Sequence, residues 1–192
     1  MSAAELPVAI IGLGRMGGPM ADCAIRAGLD VRVFDVAGDA IAPRVAAGAR
    51  GHRSVAEACA GARVVSVVVF DDAQVLEVVA GPGGVFDAAL PGAVVLIHTT
   101  VTLDTIEALA AQATERGVRL LDAGISGGES GATAGTLRAR VDHLGAVAVE
   151  DGSSDLEGVR VAAHHDDEGA GGRARLAAAD AGIEQPLSLI HI

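Results

Sequence analysis

Gly12, Gly14 and Gly17 stand in the spacing G-x-G-x-x-G, and Asp35 lies 18 residues beyond the last of them. Residues of those types at that spacing can hold a dinucleotide. Gly12 allows a tight turn, Gly14 lets the backbone approach a pyrophosphate, and Gly17 lets a helix pack close to its strand. Leu13, Arg15 and Met16 complete the loop, and a helix starting there would turn free N–H groups and a positive dipole end toward the phosphates. Asp35 is the selector. A carboxylate at that point accepts hydrogen bonds from the ribose hydroxyls and repels a 2′-phosphate, which favours NAD over NADP. Among 26 glycines the spacing alone says little, so the surrounding elements must carry the argument.

Those elements are legible. The apolar runs Pro7–Ile11 and Val31–Phe34 read as strands on either side of a helix over 15–27, where Met16, Met20, Cys23, Ala24 and Ala27 recur at helical spacing and Gly28 closes the helix. A second helix is expected over 37–47 despite Pro43, and Ser54 with Glu57 forms a capping box for a short helix over 55–60. Val64–Phe70 is a continuous, mostly β-branched run, as in a central parallel strand buried on both faces. Val69 and Phe70 at its end are further candidate cofactor contacts. A helix over 72–79, the turn Gly81–Gly84 and a strand over Ala93–Ile97 follow. Next come a helix capped by Thr102, with Ile106, Leu109, Ala110 and Ala113 on its apolar face, and a strand over Val118–Leu121. The alternation predicts an α/β fold, a Rossmann-like doubly wound parallel sheet. Ligands of such sheets bind beyond the carboxyl ends of the strands: here Gly12, Asp35, Phe70, His98 to Thr100, and Asp122 onward.

Composition narrows the function classes. A net charge of −11 leaves no basic stripe for nucleic acid. No apolar stretch reaches the roughly 18 residues that span a membrane, and Met1–Glu5 lacks the positive start of a secretory leader. Cys23 and Cys59 have neither CxxC nor metal spacing and read as buried small residues in a reducing compartment. A soluble cytoplasmic protein is expected. All 14 basic residues are arginine, and the chain has no lysine.

Three segments resemble the β-hydroxyacid dehydrogenases, the family of 3-hydroxyisobutyrate dehydrogenase. Gly12-Leu13-Gly14-Arg15-Met16-Gly17-Gly18-Pro19-Met20-Ala21 is similar to the family's N-terminal fingerprint. Thr99-Thr100, with Val101 and Thr102, resembles its Ser-Thr motif, whose second residue (here Thr100) approaches the cofactor near the nicotinamide. Asp122-Ala123-Gly124-Ile125-Ser126-Gly127-Gly128, with Gly131-Ala132 and Gly135-Thr136-Leu137, resembles its substrate-binding signature, although Gly124 stands where the family usually has proline. The resemblance implies an oxidoreductase that passes a hydride between NAD and a small 3-hydroxy acid. Ser126 Oγ and the N–H groups of Gly127 and Gly128 would form a nest for the substrate carboxylate. A homo-oligomer is the assembly considered for a full-length relative. The family also uses a lysine for proton transfer. Here Arg175, in Gly169–Leu176, stands near its place, and arginine does not release a proton at ordinary pH. Two other readings are a non-catalytic NAD-binding module and an imine reductase, which shares the fold and a similar N-terminus but against which Asp35 and Ser126 both speak.

The dinucleotide-binding domain is accordingly placed at residues 1–137, with an extension to about 165 left open. Residues 138–192 are read as a poorly structured or mistranslated tail. The expected apolar strand after Leu137 is missing, since Arg138-Ala139-Arg140 interrupts it. The run His164–Glu168 is read as a solvated face rather than a metal cluster. Leu187–Ile192 can be encoded by a transposase-end adapter of sequencing libraries, so the natural chain is expected to be longer and to continue into the family's all-helical domain.

Overall fold

The computed structural model describes residues 7–142 and, as backbone, Val159–Val161 and Leu176–Ala178. His164–Glu168, Arg175 and Leu187–Ile192 lie outside the described residues. In chain order the elements are β1 (Pro7–Ile11), α1 (Gly17–Arg26), β2 (Asp30–Phe34), α2 (Gly38–Ala46), β3 (Arg50–Gly51), α3 (Val55–Cys59), β4 (Val64–Val67) and α4 (Asp72–Ala80). They continue as α5 (Val85–Ala88), β5 (Val94–Ile97), α6 (Leu103–Glu115), β6 (Arg119–Ser126), α7 (Gly128–Ala134) and β7 (Arg138–Asp142). Val159–Val161 (β8) and Leu176–Ala178 (β9) pair antiparallel as a separate ribbon.

The seven-stranded sheet has the order β3-β2-β1-β4-β5-β6-β7. Every neighbouring pair from β3 to β6 is parallel, and β7 runs antiparallel to β6. The first six strands thus have the Rossmann order, in which the winding reverses between β1 and β4. Each face carries its own core. Ile11, Val65, Val67, Val95, Ile97 and Leu120 pack under α3 to α6. Val8, Ile10, Val31, Val33 and Leu96 pack under α1 and α2. All four residues of β4 and of β5 are buried, and each buried valine withdraws apolar surface worth on the order of 2 kcal/mol. A third, smaller cluster of Met20, Ala132 and Leu137 seals α7 against α1.

Several expectations are corrected. The strand read as missing after Leu137 is present: Arg138–Asp142 pairs along Ser126 to Asp122. Its alternation of charged and apolar residues suits an edge strand, which needs only one apolar face. The sheet is therefore not wholly parallel. β4 stops at Val67 rather than Phe70, because both backbone groups of Val69 are taken by the Thr99 side chain. Thr102 makes no side-chain cap on α6; its hydroxyl donates to Asp72 instead. Gly124 sits within β6 rather than in a loop, and β6 extends five residues past Leu121 to Ser126. Ser54 caps α3 as expected, accepting from the Glu57 N–H at 3.1 Å. Pro43 lies inside α2, a helix with no buried residue. Both cysteines are free and buried, and burial pushes the Cys59 thiol up to about 12. Among the described residues no helix is long and apolar enough to cross a membrane, and no group of three His, Cys, Asp or Glu side chains could hold a metal.

Candidate functional site

The turns leaving β1, β2, β4, β5 and β6 share one edge of the sheet, centred on the reversal between β1 and β4. The glycines of the first turn differ in what demands them. Gly12 has φ +92°, and a Cβ there would run into the Val68 carbonyl. A Cβ at Gly17 would run into the Gly12 carbonyl. Both are therefore required by the chain's own packing. At Gly14 an added Cβ meets nothing within 4 Å among the described residues, so none of their contacts accounts for this glycine. It lies just before α1, whose N-terminus has neither a side-chain cap nor an acidic residue in its first turn. A turn of this kind, followed by a helix start without a side-chain cap, fits a pyrophosphate.

Asp35 fastens this turn to the end of β2. Its Oδ2 accepts from the Leu13 N–H at 2.6 Å and its Oδ1 from the Ala37 N–H at 2.7 Å. Each carboxylate oxygen retains a second lone pair for an incoming hydroxyl. Two apolar side chains stand uncovered just past the strands flanking β1: Val36, 94% exposed after β2, and Phe70, 86% exposed after β4. Sequence reasoning reached Phe70 and passed over Val36. The signal available was an apolar residue directly after the selector aspartate.

The turns after β4 and β5 are bound to each other. Thr99 Oγ1 accepts from the Val69 N–H at 3.1 Å and donates to the Val69 carbonyl at 2.8 Å. Asp72 Oδ1, in the first turn of α4, accepts from Thr102 N–H (2.9 Å), Thr102 Oγ1 (2.8 Å) and Thr105 Oγ1 (2.7 Å). These three bonds hold the Asp72 carboxyl below its ordinary range, the Thr102 N–H contributing most. Thr100 lies between the two fastenings, exposed, and makes no side-chain hydrogen bond among the described residues. Just before it, His98 is buried. Its Nδ1 is 2.8 Å from the Ala123 carbonyl, which can only accept, so Nδ1 carries the proton. Nε2 lies 3.4 Å from Ser66 Oγ. Desolvation lowers the His98 pKa to about 4 despite the Ala123 bond, so the ring is neutral near pH 7.

Ser126 ends β6, exposed and paired with Arg138. The expected loop of small residues after it is instead the start of a helix. Gly127, at φ +119°, caps α7, and its carbonyl accepts from the Gly131 N–H at 3.0 Å. The α7 N-terminus has no side-chain cap. α7 is fastened to α1: the Cys23 thiol donates to the Ala132 carbonyl at 3.2 Å, and Arg26 to the Thr133 carbonyl at 3.4 Å. Arg15, inside the glycine turn, pairs with Glu129 at 2.9 Å. The structure thus joins Gly12–Gly17 to Asp35 on one side and to the Ser126–Glu129 segment on the other, and it joins Val69 to Thr99. It gives Thr100 no such partner. Asp72 and Glu129 were missed in the sequence, because each acts on an element distant in the chain.

Residues 7–141 match the family model described as the NAD binding domain of 6-phosphogluconate dehydrogenase. The 3-hydroxyisobutyrate dehydrogenase of Pseudomonas aeruginosa is 40% identical over 131 residues, which cover 68% of this chain and 44% of that protein. The NAD-dependent L-serine dehydrogenase of the same organism is 40% identical over 130 residues, with the same coverage. This chain spans less than half the length of those relatives. Among solved structures, 3-hydroxyisobutyrate dehydrogenase of Mycobacterium tuberculosis with L-serine aligns with a TM-score of 0.66 at 35% identity, covering 70% of this chain and 45% of that one. An imine reductase from Pseudomonas sp. shares the fold at 24% identity and a TM-score of 0.57, over 66% of this chain and 43% of that one. The uncapped glycine turn, the aspartate fastened to it and the family match agree: the chain belongs to the family of NAD-binding domains represented by that of 6-phosphogluconate dehydrogenase.

Proposed function

We propose that this chain binds NAD in preference to NADP and forms the dinucleotide-binding part of a dehydrogenase acting on a small 3-hydroxy acid. The observation that carries the reading is Gly14, a glycine that no contact among the described residues requires, set before a helix without a side-chain cap and beside a carboxylate already aimed at the turn. The N–H groups of the turn, at the start of α1, would take the pyrophosphate. Asp35 would accept from the adenosine ribose while holding Leu13, and a 2′-phosphate would meet its negative charge. Val69 and Phe70 would flank the bound dinucleotide, and Thr100 would stand near the nicotinamide. When bound, the nicotinamide supplies the hydride acceptor or donor.

Ser126 Oγ, with the N–H groups of Gly127 and Gly128, would hold the substrate carboxylate at the end of β6. The relatives named for 3-hydroxyisobutyrate and L-serine support a small hydroxy acid as the substrate class. The lysine that the family resemblance assigns to proton transfer has no counterpart in this chain, which contains none, and arginine is a poor acid or base. We infer that the 192 residues bind cofactor and do not turn over alone. The missing lysine equally supports a non-catalytic NAD-binding module, and the two readings part on whether a longer form of the protein oxidises hydroxy acids.

The test is a titration with NADH and with NADPH, followed by nicotinamide fluorescence and repeated with Asp35→Ala. Saturable binding with preference for NADH is expected. The variant also loses the Leu13 fastening, so binding of both should weaken while the preference disappears. Equal affinity of the unaltered chain for both cofactors, or no binding of either, would overturn the proposal.

A further inference from the structure

The five hydrogen bonds between the turn after β4 and the turn after β5 form two fastenings, and they differ in kind. The Thr99–Val69 pair lies within the sheet end and is part-buried. The Asp72 set reaches from exposed Thr102 to buried Thr105 and joins the first turns of two helices, α4 and α6. A helix N-terminus leaves backbone N–H groups without partners, and Thr102, the residue at the cap position of α6, does not fill them with its own side chain. Its hydroxyl and its N–H, together with the Thr105 hydroxyl, all turn to one oxygen of a residue 30 positions earlier. The Thr102 and Thr105 hydroxyls also lie 3.1 Å from each other. α6 is thus tied at its start by a carboxylate that belongs to α4, and that start is where the segment Thr99–Thr102 is anchored.

We propose that Asp72 is a positioning residue for the nicotinamide half of the site: by tying Thr102 and Thr105 to α4 it fixes where Thr100 stands relative to Val69 and Phe70. This rests on the NAD reading given above. Thr100 has one neighbour held by the Thr99–Val69 bonds and, two residues on, another held by Asp72. With both in place its backbone has little freedom to move. With Asp72 removed, the Thr99 end stays and the Thr102 end is released. The glycine turn and Asp35, which lie across β1, keep all of their own contacts. The loss should therefore fall on the nicotinamide end of a bound dinucleotide and spare its ADP-ribose end.

The experiment compares NADH with ADP-ribose, which lacks the nicotinamide, by titration of the full chain and of Asp72→Ala and Thr105→Val. Circular dichroism of each variant reports its folding. Asp72→Ala is expected to weaken NADH by about five- to tenfold, the scale of one lost hydrogen bond at the ligand, and to leave ADP-ribose within about twofold. Thr105→Val, which removes one of the three donors and keeps Asp72, is expected to show the same pattern to a smaller degree, and it serves as the decisive variant should Asp72→Ala not fold. The emission maximum of bound NADH should also shift toward that of free NADH in both. A merely structural role would lower both affinities together, and that outcome overturns the inference. So does NADH binding unchanged in a folded variant. Failure of the unaltered chain to bind either ligand overturns the NAD reading itself, and the inference with it.

Discussion

The two sides of the site are held by opposite means. Around β1, α1 and β2 the structure depends on atoms being absent: Gly12 and Gly17 let carbonyl groups occupy the space where a Cβ would be. Around β4, β5 and β6 it depends on side chains being present: Thr99, Asp72 and His98 each bridge two elements. The first side should fail when an atom is added and the second when one is removed or its charge changed. On the function proposed above, the difference matches what each side would touch. A pyrophosphate is gripped by backbone N–H groups, which must come close, whereas a flat ring and a small acid need loops set at defined distances.

The largest break in this comparison should come from Gly12→Ala. A positive φ and a Cβ driven into the Val68 carbonyl together should cost about 3 kcal/mol or more in urea unfolding. A loss under about 1 kcal/mol would mean that the turn yields easily and that absence of atoms is not what builds it. On the other side the corresponding perturbation is a proton on His98. Its folded pKa is lowered from 6.5 to about 4, so the unfolded chain binds the proton more readily. Stability due to this group is complete above pH 6.5 and is lost as pH falls toward 4, by about 3 kcal/mol in all. Unfolding measured from pH 7 to 4 should show that decline in the unaltered chain and a shallower one in His98→Asn. The Asp72 carboxyl, also lowered, weakens in the same direction but in a more acidic window, below its ordinary value. The smallest effect on stability should come from Gly14→Ala. With open space around it and no positive φ, stability should stay within about 0.5 kcal/mol, while NADH affinity falls by about tenfold or more, as expected where backbone must approach phosphate. Affinity unchanged in that variant would remove Gly14 from the site.

Much of this was legible in the sequence, and the exceptions have physical causes. The glycine spacing, the buried strands and Asp35 are local patterns in which type and position are set within a few residues. β7 was missed because Arg138 and Arg140 interrupt an apolar run, and a run is the right signature only for a strand covered on both faces. An edge strand shows alternation, and Ala139 and Val141 between charged neighbours are that alternation. The start of α7 looks like a loop in the sequence because Gly128-Glu129-Ser130-Gly131 is poor helix material. It is held by packing on α1 through Ala132 and Met20, a contact more than a hundred residues apart in the chain. Thr102 had the type for a cap, and only the fold could bring Asp72 near enough to take its hydroxyl. Features are thus legible where neighbours along the chain set the pattern and hidden where contacts between distant elements set it.

β7 has a consequence for anyone choosing where to cut the gene. Composition places a boundary at Leu137, but a chain ended there would strip β6 of its partner from Asp122 to Ser126. A row of amide and carbonyl groups would then face solvent beside the very segment offered for substrate, ready to zip onto a second molecule. Arg138, charged and exposed at the start of β7, makes a poor template for such growth. The last strand therefore acts as the hem of the sheet, and material that precipitates when shortened at Leu137 should be recovered by ending it beyond Asp142.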